Sequence, residues 1–123
     1  MKARSKKTKK HAIGPQLRVY LSPHDHMGPG KADLLALIGQ TGSIVAAGKA
    51  MGMSYRRAWL LVETMNSMFE TPLVTKTKGG KGGGGGAALT ALGREVLGRY
   101  RNMERMTRKA IAADVAALRK VAR

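Results

Sequence analysis

Cysteine is absent from the 123 residues, which excludes disulfides, thiolate zinc sites and a cysteine nucleophile. Aromatic residues are scarce: Tyr20, Tyr55, Trp59, Phe69 and Tyr100 are the whole set. A core must therefore be built from Leu, Val, Ile, Ala and Met, and the hydrophobic fraction of 43% is enough for a modest one. No apolar run reaches the ~18 residues that a membrane span requires, and the N-terminus lacks the apolar stretch of a signal peptide. These absences predict a cytoplasmic protein with no membrane-embedded segment. Acids are few as well. Asp25, Asp33, Glu63, Glu70, Glu95, Glu104 and Asp114 form no compact motif, and no Ser/His/Asp set is visible. Gly80-Lys81 is followed by Gly82 instead of Ser or Thr, so no Walker A loop exists. An enzyme is not expected, and neither is a bound cofactor or metal.

Positive charge is what the chain has in excess. Twenty-three Lys and Arg against seven acids give a formal net charge of +16 and a pI near 11.1. Self-repulsion of that size opposes folding, so an anionic partner is implied, either nucleic acid or an anionic membrane surface. Residues 1–15 read as a disordered basic arm, because Lys2, Arg4, Lys6, Lys7, Lys9 and Lys10 stand among almost no apolar residues. The arm is either a solvated tail or a phosphate contact. His24 and His26 fall in a loop from Pro23 to Gly30, and with only His11 elsewhere they lack the partners of a metal site.

Periodicity places the remaining elements. Leu17, Val19 and Leu21 alternate with Arg18 and Tyr20 as a short strand. Leu34, Leu35, Leu37 and Ile38 form the buried stripe of a first helix from Lys31 to Gln40, stopped by Gly42. Ser43 caps a thin second helix, and after Gly52-Met53 Ser54 caps a third that runs to about Phe69. Leu73-Val-Thr leads into a wing whose tip, Gly79 to Gly86, is glycine except for Lys81, and Ala87 to Leu89 return. Thr90 then caps a final helix. Its apolar positions Leu92, Val96, Tyr100, Met103, Ile111, Val115 and Leu118 repeat every three or four residues. A helix of about thirty residues is ~45 Å long, more than a small domain can cover. A second copy of the chain is the expected cover, the alternative being a helix folded back on its own domain.

The fold class is thus mainly α with a small β wing: a winged helix-turn-helix over 16–90 and a long C-terminal dimerisation helix over 91–123. In such a fold the start of the third helix meets base edges in the major groove. Those residues are Ser54, Tyr55, Arg56 and Arg57, with arginine suited to guanine through its two-pronged donor fork. Two cations in a first helical turn also oppose the helix dipole, which points to an external anion. Ser43, Lys49, Lys76, Lys78, Gly80 and Lys81 are the candidate backbone and wing contacts. Trp59 lies beside the apolar stripe, where packing at the helix edge is favoured over DNA contact. The methionine pairs read as packing residues.

The stretch from Gly42 to Thr90 resembles the N-terminal domain of the ModE family of molybdate-responsive bacterial transcription regulators. The residues are Gly42-Ser-Ile, Ala46-Ala47, Met51-Gly-Met-Ser-Tyr-Arg-Arg-Ala-Trp59, Met65-Asn66, Pro72-Leu-Val, Gly79-Gly-Lys followed by glycines, and Leu89-Thr90. LysR-type regulators share a looser helix-turn-helix. The resemblance covers about residues 16 to 120. It implies a winged-helix fold and operator binding to double-stranded DNA as a homodimer, with dimer contacts from the first and last helices. Molybdate-sensing members carry C-terminal oxyanion modules, and this sequence ends at Arg123, so molybdate sensing by this chain alone is not expected. A separate effector-sensing partner is left open. The expected function is a dimeric, sequence-specific, nucleoid-associated transcription regulator; the alternative is a nonspecific architectural DNA- or RNA-binding protein.

Overall fold

A computed structural model of the chain describes residues 10–78 and 85–123. Two strands, β1 (Val19–Tyr20) and β2 (His26–Met27), pair antiparallel as a short hairpin. Three helices follow: α1 (Pro29–Thr41), α2 (Ile44–Ala50) and α3 (Tyr55–Met68). The wing is β3 (Val74–Thr77) against β4 (Gly86–Leu89), in register from Val74 with Leu89 to Thr77 with Gly86. Two helices, α4 (Ala91–Ala110) and α5 (Ala112–Val121), end the chain. The architecture is a mainly α winged helix with a small β wing, as the sequence predicts.

The turn chemistry explains the boundaries. Gly42 adopts φ +71°, and its N–H donates to the Ile38 carbonyl, closing α1. The Ser43 hydroxyl accepts from the Ala46 N–H, the Ser54 hydroxyl from Arg57 N–H and the Thr90 hydroxyl from Gly93 N–H, so each predicted N-cap is formed. Leu34, Leu35 and Ile38 of α1, Ala47 of α2 and Ala58, Val62 and Met65 of α3 close the core, with Leu73 beneath the wing. Burying a side chain of Leu or Ile size contributes about 1.5–3 kcal/mol. At Gly48, a Cβ would stand 2.9 Å from the Ala58 Cβ, so the small residues of α2 do let α3 approach closely.

Three local expectations need correction. The region from Pro23 to Gly30 is not all loop, since it contains β2 and the start of α1. Pro29 opens the helix, because the missing N–H of proline costs nothing in a first turn. The final helix is not continuous. Ile111 sits at φ −106°, ψ 8°, and separates α4 from α5. The signal was electrostatic: Arg108 and Lys109 suit the end of one helix, and Asp114 suits the start of another. Gly93 is where the helix meets the wing, since a Cβ there would lie 2.2 Å from the Leu73 carbonyl oxygen. Finally, Tyr100 does not belong to a surplus stripe. It is 1% exposed, and its hydroxyl donates to the Leu17 carbonyl, tying α4 to the segment before β1. Arg101 reinforces the same face through Asp33 of α1 at 2.8 Å and Glu104 at 3.0 Å.

Burial of the Tyr100 phenol, helped by the neighbouring Glu104 charge, pushes its pKa up to about 12. The folded chain thus favours the neutral phenol, and its contribution to stability is complete below the unfolded value near 10 and lost as pH rises towards 12. The urea midpoint of the native sequence is expected to fall between pH 9.5 and about 11.5 more steeply than that of Tyr100→Phe. Parallel curves for the two proteins would show that the phenol does not titrate in this way.

Candidate nucleic-acid interface

The first turn of α3 projects from the domain. Ser54, Tyr55, Arg56 and Arg57 are all exposed, Tyr55 at 56%. Ser54 is committed as a cap through its lone pair, which leaves its O–H free to donate outward. Ser43 is in the same state at the start of α2 and is half-buried. Lys49 is exposed in the last turn of α2, where its charge also suits the helix dipole.

The wing stands beside α3 because Asn66 holds it there. The Asn66 side-chain oxygen accepts from the N–H groups of Leu73 (2.9 Å) and Val74 (3.1 Å), and its amide donates to the Val74 carbonyl (3.1 Å). On the other strand, Ala87 N–H donates to the Gly42 carbonyl (2.9 Å). Thr90 completes the base, its N–H donating to the Leu73 carbonyl (2.9 Å) and its hydroxyl to that of Pro72 (2.8 Å). Asn66 is the anchor of the wing that the sequence reading left without a role. Its amide, at the partly buried end of an otherwise apolar helical stripe, was the available signal.

Trp59 joins the wing to α3. The ring of Tyr55, one turn earlier, meets it edge-on at 6.2 Å, and Lys76 Nζ of β3 lies 4.8 Å from its ring centroid. Trp59 is therefore a packing residue, as expected, but its packing places a wing lysine against the exposed turn. Ser43, Val45, Tyr55, Trp59, Lys76 and Thr77 border a cleft of about 150 Å³ between α2, α3 and the wing. Lys78 is exposed just beyond β3. Gly80 and Lys81 lie outside the described residues, as does the arm up to residue 9.

The predicted dimer residues divide. Leu92, Val96 and Met103 are half-buried against the core of their own chain, and Tyr100 is inside it. Ile111 and Val115 are half-buried, and Val115 borders a cavity of about 190 Å³ with Ile13, Pro15 and Arg119. Leu118 is 66% exposed, and Met106 and Val121 are exposed with it. Among the described residues no group of His, Asp and Glu is arranged to hold a metal ion, and no helix is long and apolar enough to cross a membrane.

A double-mutant cycle tests the junction between α3 and the wing. Trp59→Leu and Lys76→Ala are expected to be non-additive in unfolding free energy by about 0.5–1 kcal/mol, the size of an exposed cation–π contact. Strict additivity would remove the contact from the account.

No family model matches the chain. Over 78 residues, 63% of the chain and 28% of the relative, it is 46% identical to the molybdenum-pterin-binding protein MopB of Rhodobacter capsulatus. It is 42% identical over 71 residues to the molybdenum transport protein ModE of Azotobacter vinelandii, covering 58% of the chain and 26% of that protein. The DNA-binding transcriptional dual regulator ModE of Escherichia coli is 39% identical over 82 residues, 67% of the chain and 31% of the relative. The chain thus spans less than a third of the length of these relatives. With its winged-helix architecture and these matches, the chain is similar to proteins of the ModE family over less than a third of their length, consistent with the N-terminal domain of that family.

Proposed function

We propose that the chain is a sequence-specific DNA-binding transcription regulator that acts as a homodimer. One observation carries the reading: the exposed Tyr55-Arg56-Arg57 turn of α3 stands beside a lysine-bearing wing on a chain of net charge +16. A helix start of this kind enters the major groove, where an arginine fork can pair with guanine O6 and N7. Tyr55 is then available to a sugar, a phosphate or a thymine methyl. Ser43, Lys49, Lys76, Lys78 and Lys81 supply backbone contacts, and the glycines about Gly80 admit close approach of the wing tip. The DNA-binding relative in Escherichia coli supports the same partner.

For the dimer, the supporting observation is apolar exposure at the C-terminal end: Met106, Leu118 and Val121 are 61%, 66% and 79% exposed. Ile111 and Val115, half-buried, lie on the same helical spacing, while Leu92, Val96 and Met103 pack against the core of their own domain. Molybdate response belongs, in this reading, to a separate segment or partner, although the names of the relatives refer to molybdenum.

Selection of bound sequences from random duplexes tests specificity, and repetition with molybdate is expected to return the same site. Arg56→Ala or Arg57→Ala should lose about 1–3 kcal/mol of discrimination at a contacted base, whereas Lys81→Ala should weaken all duplexes alike. Equal affinity of the native chain for every duplex would overturn the regulator reading in favour of a nonspecific binder. Sedimentation of a chain ending at Ala110, which keeps Tyr100 and Arg101 in place, is expected to show monomer; a persistent dimer would acquit α5.

A further inference from the structure

On the face of α3 turned away from the wing, a cavity of about 500 Å³ opens between the β1–β2 hairpin, the start of α1 and α3. Its charged lining is Arg18, Lys31 and Arg57, with His26 beside them. Among the described residues, none of these three cations forms an ion pair. Lys31 Nζ instead donates to the His26 carbonyl at 3.0 Å and stands 3.4 Å from His26 Nε2. The Asp25 charge acts on this cluster, and its carboxylate accepts from the Ser22 hydroxyl. Positive charge is therefore gathered around an open space without a matching anion. The titration behaviour agrees: burial, then Lys31 and Arg18, push the His26 pKa down, and burial, then Arg18, push that of Lys31 down, Asp25 opposing in both cases.

The placement of the cluster matters as much as its charge. Tyr55 and Trp59 border the cleft beside the wing, and Arg57 and Leu61 border this cavity. Residues two apart on an α-helix project ~200° from one another, so the two basic surfaces flank α3 on opposite sides. A helix with its side chains is ~10–12 Å across, and the major groove it would enter is ~12 Å wide with a phosphate strand along each edge. We propose that Arg18 and Lys31, beside Arg57, bind a backbone phosphate of the DNA strand on the side of α3 opposite the wing, leaving Arg57 to the base contact described above. The hairpin is then a second shoulder of the interface: the wing grips one strand, and the hairpin grips the other. This inference rests on the DNA-binding reading above. It adds Arg18 and Lys31 as positioning residues that fix the seat of α3 in the groove without reading bases.

The test compares the native chain with an Arg18→Gln/Lys31→Gln double variant over a salt series. Each is titrated against a duplex selected by the native chain and against a random duplex of equal length. Glutamine retains a donor for the His26 carbonyl, a thermal melt checks folding, and Arg18→Glu alone serves as the second variant. Lys120→Gln on α5 controls for lost charge in general. The variants are expected to weaken binding to both duplexes by the same factor. Loss of one phosphate contact lowers the slope of log affinity against log salt by about 0.9, so the penalty shrinks ~3-fold between 50 and 200 mM salt. A slope like that of the native chain, or one changed equally by Lys120→Gln, overturns the proposal. So does an unchanged slope accompanied by heat protection from inorganic phosphate that the double variant abolishes, which would assign the cavity to a free anion. Failure of the native chain to bind any duplex is a separate result, visible before any variant is compared, and would fell the DNA reading itself.

Discussion

The side-chain amide of Asn66 fixes the geometry on which the rest of the interface depends. A two-stranded wing has no stability of its own. Here three hydrogen bonds from one side chain at the end of α3 determine where β3 starts. From that anchor the register of the hairpin carries Lys76 back over Trp59, four residues into α3. The return strand is fixed by the Gly42 carbonyl, which belongs to the turn that positions α2. The helix-turn-helix and the wing are thus one framework, and a displacement of either would move the other.

The same economy holds at the back of the domain. Leu73 is buried in the core, and its carbonyl receives the Thr90 N–H at the place where Gly93 permits α4 to touch the backbone. Tyr100 then closes α4 onto the segment before β1, at Leu17. In this way the last long helix is part of the domain through Met103, and beyond it Met106, Leu118 and Val121 stand exposed.

Much of this was legible in the sequence because it depends on local chemistry. Gly42-Ser43 and Gly52-Met53-Ser54 announce two turns and two caps, since a left-handed turn and an orphan N–H each favour few residue types. The first turn of α3 was found by its charge, which is wrong for helix stability alone. What escaped depends on distant partners. Asn66 looks like any polar residue until the strand it latches is folded beside it. The two-residue strand β2 is too short to have a period, so it read as loop. Tyr100 falls on the same heptad-like spacing as its neighbours, and the spacing does not distinguish a side chain that faces its own core from one that faces another molecule. Arg18, Lys31 and Arg57 are far apart in sequence, and only the fold gathers them.

The interruption at Ile111 gives the C-terminal end a lever. A ten-residue helix such as α5 is ~15 Å long, so turning it by ~20° at its base carries its tip through ~5 Å, more than one base-pair step along a duplex. The backbone at one residue thereby sets, through leverage, where Leu118 and Val121 lie. In the homodimer proposed above, two chains that differ only at position 111 would hold their α3 helices at different spacings, so the joint would set site spacing apart from the proposed base contacts.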